Sequence, residues 1–83
     1  MYRISLERRA AKEIEALPDE IIQRITEAID GLQFNPRPHG VKKLVGDDGW
    51  RIRIRDYRIL YTINDGQKLV TIYRVKHRRE AYR

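Results

Sequence analysis

Trp50-Arg51-Ile52-Arg53-Ile54-Arg55 alternates apolar residues strictly with arginines. A period of two is that of a β-strand with one face buried and the other solvated. Trp50, Ile52 and Ile54 are therefore assigned to a core, and Arg51, Arg53 and Arg55 to an outward row. No acid interrupts that row. A guanidinium fork matches phosphate oxygens bidentately, so the row reads as a surface for phosphate.

Tight-turn chemistry follows near Asp56. Tyr57, Ile59, Tyr61 and Ile63 then alternate with Arg58, Leu60 and Thr62, which predicts a second strand. Asn64-Asp65-Gly66-Gln67 reads as a hairpin turn of the Asp-Gly kind, and Leu69 to Val75 as a β-branched third strand followed by a tail from Lys76. On the other side, Gly46 to Gly49 is a turn, Val41 to Gly46 fits no pattern, and Asn35-Pro36-Arg37-Pro38-His39-Gly40 is a loop punctuated by proline and glycine. Leu6, Ala10, Ile14 and Leu17 recur at helical spacing, as do Ile21/Ile22, Ile25, Ala28/Ile29 and Leu32. Pro18 separates the two stripes and is suited to the first position of the second helix, with Asp19 and Glu20 behind it at the positive end of the helix dipole. Tyr2, Ile4 and Leu6 predict a short first strand. The expected fold is α+β in the order β-α-α-β-β-β, a helical hairpin packed on one face of an antiparallel sheet, with the other face left for binding.

The chain of 83 residues is expected to form one small domain spanning 1–83. Its net charge of +6 is unevenly placed. Residues 1–40 carry six Lys/Arg against seven Asp/Glu, and residues 41–83 carry twelve against five, so the whole excess lies in the second half. That segregation points to a basic face and to nucleic acid or an acidic protein as partner. Met1 to Leu6 has no apolar signal region, and no apolar run approaches the roughly 18 residues of a membrane span, so a cytoplasmic location with no membrane partner is expected. Cysteine is absent, and only His39 and His77 could serve as imidazole ligands, so neither a metal nor a cofactor is expected. Neither a phosphate-cradling glycine loop nor a dinucleotide fingerprint occurs.

The remaining chemistry is arginine, lysine, histidine and tyrosine. That set suffices to cleave RNA, which carries its own nucleophile in the 2′-hydroxyl. Guanidiniums can stabilise the charge that develops on the phosphorus centre, but they are poor proton carriers. His77 is the proton shuttle this chain offers.

These pieces resemble the RelE/ParE superfamily of bacterial toxins, in particular the RelE-like mRNA interferases. The similarity runs through the Leu-Pro break between the helices, Asn35 to Gly40, Lys43-Leu44-Val45-Gly46, Trp50 to Ile54, Asp56 to Tyr61 and His77 to Arg83. It implies the toxin of a type II toxin–antitoxin system, a metal-independent, ribosome-dependent endoribonuclease acting on mRNA in the decoding site. It also implies an acidic antitoxin that masks the basic face, with operator DNA met only through the antitoxin complex. The family's strand residues fall on Arg51, Arg53 and Arg58, its tail arginine on Arg78, its stacking aromatic on Tyr82, and the proton carrier of some members on His77. Lys42, Lys43, Arg55, Lys76 and Arg79 are expected to contact RNA backbone. Lys76 stands where glycine is common, and arginines replace the lysines that some members have at positions 51 and 53. The alternatives are a ParE-like inhibitor of DNA gyrase and a non-catalytic member that only binds its antitoxin.

Overall fold

The computed structural model describes residues 1–81, the side chains of the last two excepted. The elements are β1 (Arg3–Leu6), α1 (Arg8–Glu15), α2 (Asp19–Gly31), β2 (Lys42–Lys43), β3 (Trp50–Ile54), β4 (Tyr57–Asn64), β5 (Leu69–His77) and α3 (Arg78–Ala81). They form an α+β fold with one five-stranded sheet in the order β1-β5-β4-β3-β2. β2 to β5 run antiparallel, as the alternating pattern predicts. β1 instead lies parallel to β5, from Arg3 opposite Leu69 to Leu6 opposite Ile72.

Three departures from the pattern have local causes. The unassigned stretch Val41 to Gly46 contains β2, a two-residue strand that exists only by pairing Lys42 with Arg51 and Lys43 with Trp50. β5 continues two residues beyond Val75 because Lys76 and His77 pair with Arg58 and Tyr57 of β4. In the β4–β5 hairpin Asn64 pairs with Leu69, leaving a four-residue loop, and the left-handed residue is Lys68 (φ 52°) rather than Gly66. The Asn64 side chain accepts the Gln67 N–H at 3.0 Å, which closes that longer turn. Pro18 sits just outside α2, extended at ψ 147°, with Asp19 and Glu20 in the first turn.

Both long helices bury their apolar stripes against one face of the sheet. Ala10 of α1, Ile25 and Ile29 of α2 and Leu32 join Ile59, Tyr61, Val70, Ile72 and Val75 in one core. Full burial of such aliphatic side chains contributes roughly 1.5–3 kcal/mol each. β5 carries a bulge: Leu60 pairs with Arg74 and Tyr61 with Ile72, so Tyr73 is the extra residue. The bulge turns Arg74 toward α1, where its Nε donates to both Glu13 oxygens at 2.9 and 3.2 Å. Glu13 also accepts the Val75 N–H at 2.8 Å. One carboxylate thus fastens α1 to the strand and satisfies the displaced backbone.

The proline loop is held from both sides. The Tyr61 hydroxyl donates to the Pro36 carbonyl at 2.8 Å, and burial pushes that hydroxyl up to about 12. Arg37 grips Asp65 with two bonds of 2.9 and 3.2 Å, and the Tyr2 hydroxyl adds a third at 2.6 Å. Arg37, followed by Tyr2, holds the Asp65 carboxyl below its ordinary value. Trp50 packs against the core while Arg37 and Lys43 lie 5.1 and 5.4 Å from its ring centroid.

Candidate nucleic-acid interface

The register of the sheet assembles the face that the helices leave uncovered. Arg53 of β3 stands directly opposite Arg58 of β4, and Arg58 directly opposite Lys76 of β5. Three cations therefore form one row across three strands. In the neighbouring row, Lys42 of β2 faces Arg51 of β3, and Arg51 faces Leu60 of β4. Like charges opposite one another on a sheet are destabilising. Among the described residues, Lys42, Arg51, Arg53 and Lys76 form no ion pair that would relieve this repulsion. An anion laid across the rows would.

Two clefts open on this face and share Arg51 and Arg58. One, of about 140 Å³, is lined by Gly40, Lys42, Arg51, Arg53 and Arg58. It is purely basic along its side chains and fits a phosphate group. The other, of about 150 Å³, is lined by Leu44, Arg51, Arg58, Leu60 and Lys76 and has two apolar walls. Arg58 is half-buried, with its Nε fully buried, so its guanidinium is held at the boundary between the clefts.

The other expected residues are placed differently. Arg55 leaves the row: β3 ends at Ile54, and Arg55 adopts a left-handed φ of 56° and reaches Glu20 of α2 at 3.3 Å. Its carbonyl accepts a 3.3 Å bond from Arg53 Nε. Lys43 donates to the Asp47 carbonyl at 2.9 Å and covers Trp50. His77 belongs to β5 and lies on the helix side of the sheet, opposite Tyr57, edge-on to that ring at 5.1 Å and beside Glu13, Ala16 and Leu17. Its Nδ1 accepts the Arg79 N–H at 3.2 Å and so caps the first turn of α3. The arginine cleft and the imidazole are one residue apart in sequence and on opposite faces, because side chains alternate along a strand. Arg78 starts α3 with its N–H on the Asp56 carbonyl at 2.7 Å and its guanidinium 4.0 Å from the Asp56 carboxylate. Arg79 is exposed. Tyr82 lies outside the described residues.

Periodicity and charge do not single out Leu44, Leu60 or Glu13. Leu60 did leave a signal, being an apolar residue at an outward position of a strand whose other outward members are Arg58 and Thr62. Leu44 and Glu13 left none, since each acquires its place through a pairing distant in sequence.

The same architecture is found in solved toxins. The structure is similar to an archaeal RelE from a RelE–RelB complex of Pyrococcus horikoshii (TM-score 0.84, 34% identity, 93% of this chain and 94% of that one). It is also similar to Escherichia coli RelE from the intact RelBE complex (TM-score 0.81, 25% identity, 93% and 96% covered). The toxin RelE of Mycobacterium tuberculosis is 31% identical over 85 residues, covering 99% of this chain and 87% of that protein. The profile of the ParE toxin of type II toxin–antitoxin systems matches residues 4–82. With the two long helices, the five-stranded sheet and its basic face, these likenesses show that this chain belongs to the RelE/ParE superfamily, as a RelE-like toxin of a type II toxin–antitoxin system.

Proposed function

We propose that this toxin is an endoribonuclease that cuts mRNA on the ribosome by activating the RNA's own 2′-hydroxyl. The observation that carries the reading is the cross-strand row Arg53, Arg58 and Lys76 beside Arg51 and Lys42. The 2′-oxygen bonds to phosphorus as its proton leaves to water. The bond from phosphorus to the 5′-oxygen breaks, and that oxygen takes up a proton. The products are a 2′,3′-cyclic phosphate and a 5′-hydroxyl. Arg51, Arg53 and Arg58 act on the charge that builds on the phosphoryl oxygens, a role in which preorganised cations contribute most. Arg78 and Tyr82 are assigned to the same RNA, as clamp and stacking platform. His77 acts as a positioning residue, holding the turn that carries Arg78 and Arg79 through its Nδ1. The partner is an antitoxin protein, as in the RelE–RelB complexes, and the cations of the exposed face call for an acidic one.

Primer extension on a translated message after induction tests this. Discrete cuts are expected from the wild type and none from Arg58→Ala. His77→Asn keeps a good cap without an ionisable ring and should retain the cuts, whereas His77→Ala weakens them. Loss of cutting in both would instead make His77 the proton carrier. Growth arrest with intact messages and damaged DNA would favour gyrase as the target and overturn the nuclease reading.

A further inference from the structure

The two clefts differ in a way that phosphate binding leaves unexplained. The second has Leu44 and Leu60 as walls, which offer nothing to a phosphate but suit the flat apolar face of a nucleobase. Its polar lining is Arg51, Arg58 and Lys76. Arginine and lysine side chains donate hydrogen bonds and accept none. Lys76 has no ion-pair partner among the described residues, and its strand position is fixed by pairing with Arg58. A base whose edge presents oxygens and ring nitrogens would be hydrogen-bonded there. A base that presents an amino group would set a donor against donors, and a polar group buried without a partner is costly.

We infer that the Leu44–Leu60–Lys76 cleft is a base subsite for keto bases, guanine or uracil, in preference to adenine or cytosine. The inference rests on the RNA-cleaving reading above, and it names which nucleotide lies next to the clamped phosphate. Guanine offers O6 and N7 side by side, the pair lysine and arginine commonly read, and uracil offers O4. Adenine and cytosine carry amino groups at the corresponding positions. A single favourable base contact of this kind, in a cleft open to solvent, is expected to give a preference of about five- to ten-fold.

The test is titration of the full-length toxin with each of the four nucleoside 3′-monophosphates and with ribose 5-phosphate, followed by backbone amide shifts of Leu60 and Lys76. The 3′-phosphates of guanosine and uridine should bind about five-fold or more tightly than those of adenosine and cytidine. Lys76→Met should bring the four nucleotides to equal affinity, whatever overall affinity is lost with one cation of the row, and ribose 5-phosphate, which carries no base, measures that common loss. Lys76→Gln, which offers an acceptor as well as donors, should raise the relative affinity for adenosine 3′-monophosphate. Equal binding of all four nucleotides by the wild type overturns the subsite, even where messages are cut. Keto discrimination without any cutting supports the subsite and overturns only the nuclease reading.

Discussion

Replacing Arg53 by glutamine should stabilise the protein while disabling it. Arg53 ends the cation row, exposed, with Arg58 directly opposite and Lys76 one strand beyond. Taking the strand spacing of about 5 Å and its double as the least separations, Coulomb's law in water gives at most about 0.8 and 0.4 kcal/mol of repulsion. Screening at 0.01 M salt removes little of this, because the Debye length there is about 30 Å. Arginine tips splay apart and the 3.3 Å bond from Arg53 Nε to the Arg55 carbonyl is lost, so about half of the sum is expected as net gain. For a domain of this size, that corresponds to a melting temperature higher by about 2–4 °C. In 1 M salt the Debye length falls to about 3 Å and the gain should vanish. Thermal denaturation followed by circular dichroism at both salt concentrations measures it, with primer extension on the same variant showing weakened cutting. A melting temperature that does not rise at low salt, or that rises equally at both, would refute the claim that the row is held together against its own charge.

Three further outcomes follow from the fold. Glu13→Ala strands the Arg74 guanidinium and the Val75 N–H, both part-buried, and should cost about 2–3 kcal/mol in urea denaturation; a loss under about 0.5 kcal/mol would mean that solvent replaces the carboxylate. Gly49→Ala sets a Cβ against the Tyr73 hydroxyl and 2.8 Å from Leu44 Cδ1, both side-chain ends that can swing aside, so a cost at or below about 1 kcal/mol is expected together with a changed Tyr73 environment, and a tyrosine fluorescence unchanged from wild type would contradict the close approach. Tyr61→Phe should lose about 1 kcal/mol at neutral pH with its bond to Pro36. The Tyr61 hydroxyl is raised from 10.0 to about 12 by burial, so its contribution is full below pH 10 and disappears as pH rises through 12. The variant's alkaline unfolding limb should therefore be shallower than that of the wild type, with Tyr2 and Tyr73, whose hydroxyls are also raised, supplying what remains.

Local periodicity made most of the framework legible. Alternation over Trp50 to Ile54 and Tyr57 to Ile63 marks strands whose inner and outer faces can be named residue by residue. The stripes through Ala10 and Ile14 and through Ile25, Ile29 and Leu32 mark the two long helices. Neither pattern reports which strand lies beside which. β1 alongside β5, the two-residue β2 and the extension of β5 through His77 all depend on hydrogen bonds to partners far away in the chain.

The same division runs through the functional face. Residue type and alternation were enough to turn Arg51 and Arg53 outward and to mark the second half of the chain as basic. Pairing register, together with the β5 bulge, set Arg53, Arg58 and Lys76 in one row and put Leu60 beside Arg51. The left-handed turn at Arg55 sent its guanidinium to Glu20 instead of the row. His77 shows the limit most plainly. Its chemistry can be read from a single letter, but its face depends on the strand continuing past Val75, and that continuation exists only because Tyr57 and Arg58 lie alongside. Side-chain identity is a local property, whereas convergence is a property of register, and register arises only when distant strands pair.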